Sequence, residues 1–280
     1  MLIDHAGALL LYTRHTGASL YWVMRSLGRM AFPIYAFLLV NGFEHTKNRR
    51  AYFERLTLFA IISQLPYSLA LTQRNYSTIE YPDVFGLTRA ETFYAAAVAA
   101  LAVFLIFYRR KCDKRFTLIA AGAFLLSGVS ATVGGVTVWG EHLNVMYTLA
   151  ASMALIWLYE LWREREKSIG ELIPLSILTL ALCVSVLMRS DYGLKGFVLI
   201  GGIYLCRSNR LALCMVMAAW CIWKYFPLGS ASAWCMLSGA LAAVIPAALY
   251  SGRQGRKSRL FYLVYPVHLL IYGLVGLFVL

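Results

Sequence analysis

The sequence predicts an all-α polytopic membrane protein, a bundle of about 10–11 transmembrane helices. Sixty per cent of its 280 residues are hydrophobic, the mean hydropathy is +0.66, and 14% of the residues are charged. A soluble domain carries about 25% charged residues, so the composition excludes a soluble globular protein. The apolar residues also come in long runs. We predict one integral membrane domain over residues 1–280.

Eleven apolar segments, separated by short polar connections, follow one another along the chain. They cover residues 1–12, 20–42, 54–72, 91–108, 116–138, 143–162, 172–189, 192–206, 211–226, 232–250 and 260–279. Almost no connection separates 172–189 from 192–206, so we expect one of these two to be tilted or re-entrant. The first segment is short for a span of about 20 residues. We interpret it as a truncated helix with residues missing before Met1, and a short tilted helix is the alternative.

The basic residues alternate between the two ends of these segments. Every second connection is rich in Lys and Arg, and these connections together hold 18 of the 26 basic residues. They lie at 43–54, with Arg55 counted at its boundary, and at 109–115, 163–171, 207–210 and 251–259. The positive-inside rule places such connections in the cytoplasm. We therefore predict a multi-pass protein of the bacterial inner membrane with its N-terminus inside and its C-terminus outside.

This alternation also explains the net charge of +13. A soluble protein with such a charge would be a candidate for nucleic-acid binding, but here the charge serves membrane topology, so we exclude nucleic acid as a partner. The six cysteines form no CxxC pair and mostly fall inside apolar runs. They are small hydrophobic residues, and we predict neither a disulfide framework nor a metal site.

Arg29 is the most unusual residue of the second segment, because it lies where hydrocarbon is expected. A charge at membrane depth costs about 3 kcal/mol even on the lenient insertion scale, so Arg29 needs a partner or a wet cavity. Pro33 follows four residues later and removes the helical hydrogen bond to the Arg29 carbonyl. We expect a kink here and expect the function of the protein to involve Arg29.

Several other polar residues lie inside or at the ends of apolar segments. Their predicted depths place most of them in the outer half of the bundle, where they can share one cavity with Arg29. Asp4 and Asp191 are the expected counter-ions of Arg29. The set consists of Asp4, His5, Arg25, Arg29, Gln64, His142, Asn144, Asp191, Tyr192, Tyr265 and His268.

Each of these polar residues can have a structural role between helices or a chemical role in a site. An Asp–Arg pair is commonly a structural contact between helices, and Asn144 is typical of an interhelical hydrogen bond. His5 and His268 differ, because imidazole titrates near neutral pH and can move a proton or carry an acyl group. From the residues alone, group transfer and proton relay are equally good interpretations.

Seven motifs in order extend these observations over nearly the whole chain. They are Ile3-Asp-His-Ala-Gly7, Leu27-Gly-Arg-Met-Ala-Phe-Pro-Ile-Tyr-Ala-Phe37, Glu44-His-Thr-Lys-Asn48 with Tyr52 and Arg55-Leu56, Ile62-Ser-Gln-Leu-Pro66, Leu143-Asn-Val-Met-Tyr-Thr-Leu149, Asp191-Tyr-Gly-Leu-Lys-Gly196 and Phe261-Tyr-Leu-Val-Tyr-Pro-Val-His-Leu269. In this order they resemble the TraX family of membrane proteins. The resemblance implies a membrane acyltransferase-like protein that uses acetyl-CoA to acetylate an amine, as the family's namesake does at the amino terminus of a conjugative pilin.

The resemblance also implies roles for the polar residues. His5 or His268 would act as general base or carry the acetyl group briefly, Arg29 would stabilise the oxyanion, and Asp4 would orient the histidines or neutralise Arg29. Residues of the acceptor site would be Asn144, Asp191, Tyr192 and Tyr265, and residues that hold the CoA phosphates would be Lys47, Arg50 and Arg55. The expected partners are membrane lipid and a pilin or another envelope protein.

Two other classes of function use the same residues. A transporter or channel would employ the buried Asp–His–Arg set to relay protons or bind an anion. Transporters commonly have inverted repeats with broken helices in matching positions, and no such repeat is evident in this sequence. A non-catalytic assembly factor of a pilus or of the envelope is the third alternative.

Overall fold

The computed structural model confirms the all-α class. It describes residues 1–8, 18–72, 119, 122–123, 126–127, 131–133, 136–139, 142–164, 176, 179, 182–183, 186–187, 189–190, 192–253 and 260–278. The helices in these ranges are α1 (Leu2–Ala6), α2 (Ala18–Arg29), α3 (Ala31–His45), α4 (Arg49–Tyr67), α5 (Val145–Glu164), α6 (Gly193–Leu205), α7 (Arg210–Tyr225), α8 (Ala231–Leu241), α9 (Val244–Leu249) and α10 (Leu260–Phe278). A π-helical turn, Ser68–Thr72, follows α4. The predicted segment at 91–108 lies outside the described residues.

The chain forms two compact units. The first unit combines Met1–Glu44 with Phe197–Leu280, and the second consists of His45–Gly196. In the first unit, α2 packs against α1 and α8, α7 against α8 and α9, and α1 against α10. In the second unit, α4 packs against α5. The single domain over residues 1–280 stays a prediction.

Three described helical stretches are long and apolar enough to cross a bilayer. They are Ser19–His45, Val145–Arg163 and Ala231–Leu249, and two shorter apolar helices cover Gly193–Leu205 and Tyr262–Gly276. Many of their large apolar side chains point outward, as lipid tails allow and water does not. The protein is therefore a membrane protein.

Helix α2 has an apolar outer face and a polar inner face. Leu20, Val23 and Leu27 are all more than half exposed. Their spacing puts them on one side of the helix, because residues three and four positions apart lie above one another. Arg25 and Arg29 lie on the opposite side, one turn apart. The sequence of α2 thus directs two cations toward the interior of the first unit.

The predicted kink after Arg29 is a helix boundary. α2 ends at Arg29 and α3 begins at Ala31, with Met30 between them. Pro33 then falls in the first turn of α3, where its missing N–H removes no necessary hydrogen bond. The backbone N–H of Ile34 still donates to the Met30 carbonyl at 3.3 Å. The segment predicted at 20–42 therefore consists of two consecutive helices.

A short β-hairpin replaces the end of the segment that the sequence predicts as helix at 116–138. Strand β1 (Ala131–Val133) pairs antiparallel with β2 (Val136–Trp139), and Val133 lies opposite Val136. The strands contain Thr, Val and Trp, which favour extended structure, and the sequence between them is Gly-Gly, which is typical of a two-residue hairpin connection. A short apolar run gives the same signal in a strand as in a helix, which explains the difference.

The contact between α2 and α8 depends on a glycine. A Cβ placed on Gly239 would overlap the backbone oxygen of Ser26. The Ser26 hydroxyl donates to the carbonyl of Cys235 at 2.6 Å. Gly239 thus allows two helix backbones to approach closely, as small residues commonly do between membrane helices.

We expect Gly239→Ala to lower the free energy of unfolding by about 1–3 kcal/mol, because the new methyl group meets backbone atoms that cannot rotate away. Gly201→Ala is the matched control, since a Cβ on this helical glycine meets nothing within 4 Å, and we expect no loss of stability from it. Thermal unfolding of the purified protein in detergent measures both. Equal unfolding temperatures for the two variants would contradict this account of the interface.

Candidate functional site

Two adjacent residues of α1 point into the first unit. Asp4 is 7% exposed and His5 is 8% exposed, although α1 is a short helix of five residues. Its packing against α2 and α10 removes both side chains from the surface. Polar groups with this degree of burial need partners, and α2 and α10 provide them.

Asp4 binds two arginines of α2. Arg25 Nη1 donates to Asp4 Oδ1 at 2.8 Å, and Arg29 Nη2 donates to both carboxylate oxygens at 2.6 Å. The side chains are 20% exposed for Arg25, 18% for Arg29 and 11% for Asp4. The ion pair between Asp4 and Arg29 that the sequence predicts is therefore present. Asp4, Arg25 and Arg29 thus form a triad in which two cations share one carboxylate. The triad carries a net charge of about +1.

Gly28 makes room for this ion pair. It lies on α2 beside the triad, and a Cβ at this position would overlap the side chain of Asp4. The carboxylate can reach both arginines because the helix surface between them lacks a side chain. Short, charge-assisted hydrogen bonds of this kind are stronger than neutral ones, so the triad fixes α1 against α2.

His5 meets His268 of α10, although 263 positions separate them in the sequence. His5 Nδ1 lies 2.8 Å from His268 Nε2, and both residues are buried. The ring planes are inclined by 12° with centroids 5.1 Å apart. His268 Nδ1 in turn lies 2.6 Å from the carbonyl oxygen of Val264, one helical turn earlier.

These distances assign the protons when both rings are neutral. A carbonyl oxygen accepts hydrogen bonds, so His268 Nδ1 must carry a proton and donate it to Val264. His268 Nε2 is then an acceptor, and His5 Nδ1 must donate to it. The Nε2 atom of His5 consequently has a lone pair and no proton. The pair thus presents a basic nitrogen on His5, held in one tautomer by His268.

Aromatic rings surround the imidazole of His268. Tyr265 and Tyr272 lie on the same helix, with ring centroids 5.7 and 5.8 Å from that of His268. The Tyr272 hydroxyl also donates to the carbonyl of Leu2 at 3.3 Å, which connects α10 to α1. The sequence predicts Tyr265 at the acceptor site, and the structure places it in contact with a site histidine.

Asn144, also predicted at the acceptor site, belongs to the second unit. Its side-chain amide donates to the Ala60 carbonyl at 2.8 Å and to Gln64 Oε1 at 2.9 Å. Gln64 in turn donates to the His142 carbonyl at 2.7 Å. These contacts join α4 to the beginning of α5. They match the interhelical hydrogen bond that the sequence offers as the alternative role for Asn144.

Tyr192, another predicted acceptor residue, immediately precedes α6. Tyr192 is half-buried in the second unit, and its carbonyl accepts from the backbone N–H of Gly196 at 2.7 Å. Asp191, predicted as a counter-ion of Arg29, lies outside the described residues. The binding roles of both residues stay predictions.

The three residues predicted to hold CoA phosphates lie around the first turn of α4. Lys47 and Arg55 are exposed. Arg50 pairs with Glu54 at 3.3 Å, and the Arg55 guanidinium lies 5.9 Å from the centre of the Tyr52 ring. This first turn contains no acidic residue, although a helix N-terminus favours negative charge. An anion would therefore be stabilised here by the cations and by the helix dipole together.

Two residues of the site have no assigned role in the sequence-based prediction. Arg25 precedes Arg29 by four residues, and this spacing alone indicates that both cations lie on one face of a helix. Gly28 gives no signal in the sequence, because its importance depends on the Asp4 side chain that packs against it in the fold. Within the described ranges, no group of three or more His, Cys, Asp or Glu side chains is arranged to hold a metal ion.

Comparisons with known proteins agree with the motifs. A family profile described as TraX protein matches residues 1–137 and 114–276. The chain is also 32% identical over 125 residues to a protein of Dichelobacter nodosus described as "Probable fimbrial assembly protein FimC, serogroup H1". This match covers 44% of the chain and 49% of the relative, so it spans about half of each protein. No solved structure matches this chain.

Proposed function

The chain belongs to the TraX family. From this premise we propose that it is a membrane-embedded acetyltransferase that moves an acetyl group from acetyl-CoA to an amine. The observation that carries the proposal is the geometry of His5. Its Nδ1 is engaged by His268 at 2.8 Å, and its neighbour Asp4 holds two arginines. A basic nitrogen beside excess positive charge suits a reaction in which a proton leaves an amine while an oxyanion forms.

The reaction follows from these groups. The amine nitrogen attacks the thioester carbonyl carbon, and His5 Nε2 takes the proton that the nitrogen loses. The carbonyl oxygen becomes an oxyanion, which the guanidinium groups beside Asp4 stabilise. The C–S bond then breaks, the amide carbonyl forms, and the CoA thiolate receives the proton from His5. His268 positions His5 throughout, because its hydrogen bond keeps the proton of His5 on Nδ1.

Acetyl-CoA enters as a substrate. Its phosphates would bind Lys47, Arg50 and Arg55 at the beginning of α4, where cations gather at a helix N-terminus. These residues lie in or next to the basic stretch 43–54, which the positive-inside rule assigns to the cytoplasm, where acetyl-CoA is present. The proposal therefore includes an inner-membrane protein whose basic connections face the cytoplasm.

The acceptor would be an envelope protein with a free amino terminus. The fimbrial description of the D. nodosus relative supports a pilus or fimbrial subunit as the acceptor class. The cationic triad disfavours a charged ammonium group nearby, so the amine would react in its neutral form.

A second candidate is a non-catalytic factor in fimbrial assembly. The description of the D. nodosus relative as an assembly protein favours it. In that case the triad and the histidine pair would act as structural contacts between α1, α2 and α10. The two candidates differ in one product, because the acetyltransferase alone releases free CoA.

The test uses membrane vesicles from the native host with labelled acetyl-CoA. We expect label in an envelope protein, with an equal amount of free CoA, in vesicles that contain the protein and not in vesicles from a deletion strain. His5→Ala, Arg29→Ala and His268→Ala should each reduce the label at equal protein levels. Equal labelling with and without the protein would overturn the acetyltransferase proposal and favour the assembly factor.

A further inference from the structure

Arg25 makes its described hydrogen bonds through one of its three nitrogens. Nη1 donates to Asp4 Oδ1 at 2.8 Å and to the Asp4 backbone oxygen at 3.5 Å. Nε is buried, and among the described residues nothing accepts a hydrogen bond from it. Because the N–H of Nε and one N–H of Nη2 are parallel in a guanidinium, Arg25 retains a two-donor edge of the kind that matches a carboxylate.

Arg29 is engaged differently. Its Nη2 donates to both oxygens of Asp4, and its Nε donates to the Arg25 carbonyl at 3.3 Å. Its guanidinium also interacts with the hydroxyl of Tyr225 on α7. These contacts connect Arg29 to α1, to its own helix and to α7, so Arg29 is held in place as a support for Asp4. The donor edge that remains in the triad belongs to Arg25.

The net positive charge of the triad also favours an anion beside Arg25. Asp4 neutralises one of its two arginines, and all three side chains are at least 80% buried. Buried charges are normally paired, and buried donors normally have an acceptor. An anionic oxygen at the Nε edge of Arg25 would satisfy both requirements at once.

We infer that the Nε–Nη2 edge of Arg25 is an anion-binding site for a carboxylate or for an oxyanion of similar shape. In the proposed reaction, on which this assignment of a catalytic role rests, Arg25 donates to the oxygen of the acetyl carbonyl. Arg29, which the sequence favours for that role, positions Asp4 and so orients Arg25. The anion site itself follows from the contacts of Arg25 and does not depend on the reaction.

Acetate is a suitable probe, because it presents two oxygens to the donor edge. The experiment follows thermal unfolding of the purified full chain in detergent as acetate replaces chloride at constant ionic strength, with acetamide as the neutral analogue. We expect a saturable rise in the unfolding temperature with acetate and none with acetamide. Arg25→Lys keeps the charge and removes the two-donor edge, and it should weaken the apparent affinity about tenfold or more.

Arg207→Lys is the matched control. Arg207 pairs with Glu44 and lies over the ring of Tyr204, so its replacement should leave the response to acetate unchanged. No saturable response in the wild type, or an equal response in Arg25→Lys, would overturn the anion site. If Arg25→Lys fails to fold, Arg25→Gln, which also lacks the two-donor edge, takes its place in the same comparison. Acetate binding without any acetyl transfer would overturn the proposed function and leave the anion site standing.

Discussion

Replacing Asp4 with asparagine is expected to lower the free energy of unfolding by about 3–5 kcal/mol, the range for breaking a buried ion pair by removing one partner. Asparagine has nearly the same shape, so the change removes a charge and leaves the volume intact. Arg25 and Arg29 would then face each other without a counter-ion, 20% and 18% exposed. Their repulsion adds to the cost of burying unpaired charge.

Glu54→Gln provides the control for this prediction. Glu54 pairs with Arg50 at 3.3 Å along α4, four residues apart, with side chains that are 16% and 38% exposed. Ion pairs at this helical spacing contribute about 0.5 kcal/mol or less, so this variant should unfold close to the wild-type temperature. Thermal unfolding in detergent measures both variants. An Asp4→Asn variant as stable as Glu54→Gln would show that the triad does not hold α1 against α2.

Replacing His5 with glutamine is expected to reduce the rate of acetyl transfer by about 10²–10⁴-fold, the typical contribution of general acid–base catalysis. Glutamine has a similar length and can donate a hydrogen bond to His268, so the fold should persist. Its amide cannot accept the proton of the amine. The measurement is the initial rate of label transfer from acetyl-CoA at equal protein levels, with thermal unfolding as the check on folding.

Substitutions of His268 separate the roles of the two histidines. In His268→Gln the amide oxygen can still accept from His5 Nδ1 and maintain the tautomer, whereas His268→Leu cannot. We expect the rate to fall less in His268→Gln than in His268→Leu, and both to fall less than in His5→Gln. A His268→Gln variant as inactive as His5→Gln, with an unchanged fold, would instead make His268 the base.

Much of the architecture could be predicted because it depends on local composition. Long apolar runs produced the helices, and Pro33 indicated the boundary between α2 and α3. The hairpin at Ala131–Trp139 was missed, because short runs of Val and Thr carry no periodicity that distinguishes a strand from a helix. The Gly-Gly pair between its strands was the available signal.

The sequence by itself determined that this is a membrane protein, that it belongs to the TraX family, and that Asp4, His5, Arg29 and His268 are unusual for hydrocarbon. The cost of burying polar groups is a property of each residue, so it can be estimated without coordinates. The tertiary structure decided which of these groups meet. Its distances assign the basic nitrogen to His5 Nε2 and the remaining donor edge to Nε and Nη2 of Arg25. Hydrogen bonds depend on the positions of atoms that are distant in the sequence, and only folding brings these atoms together.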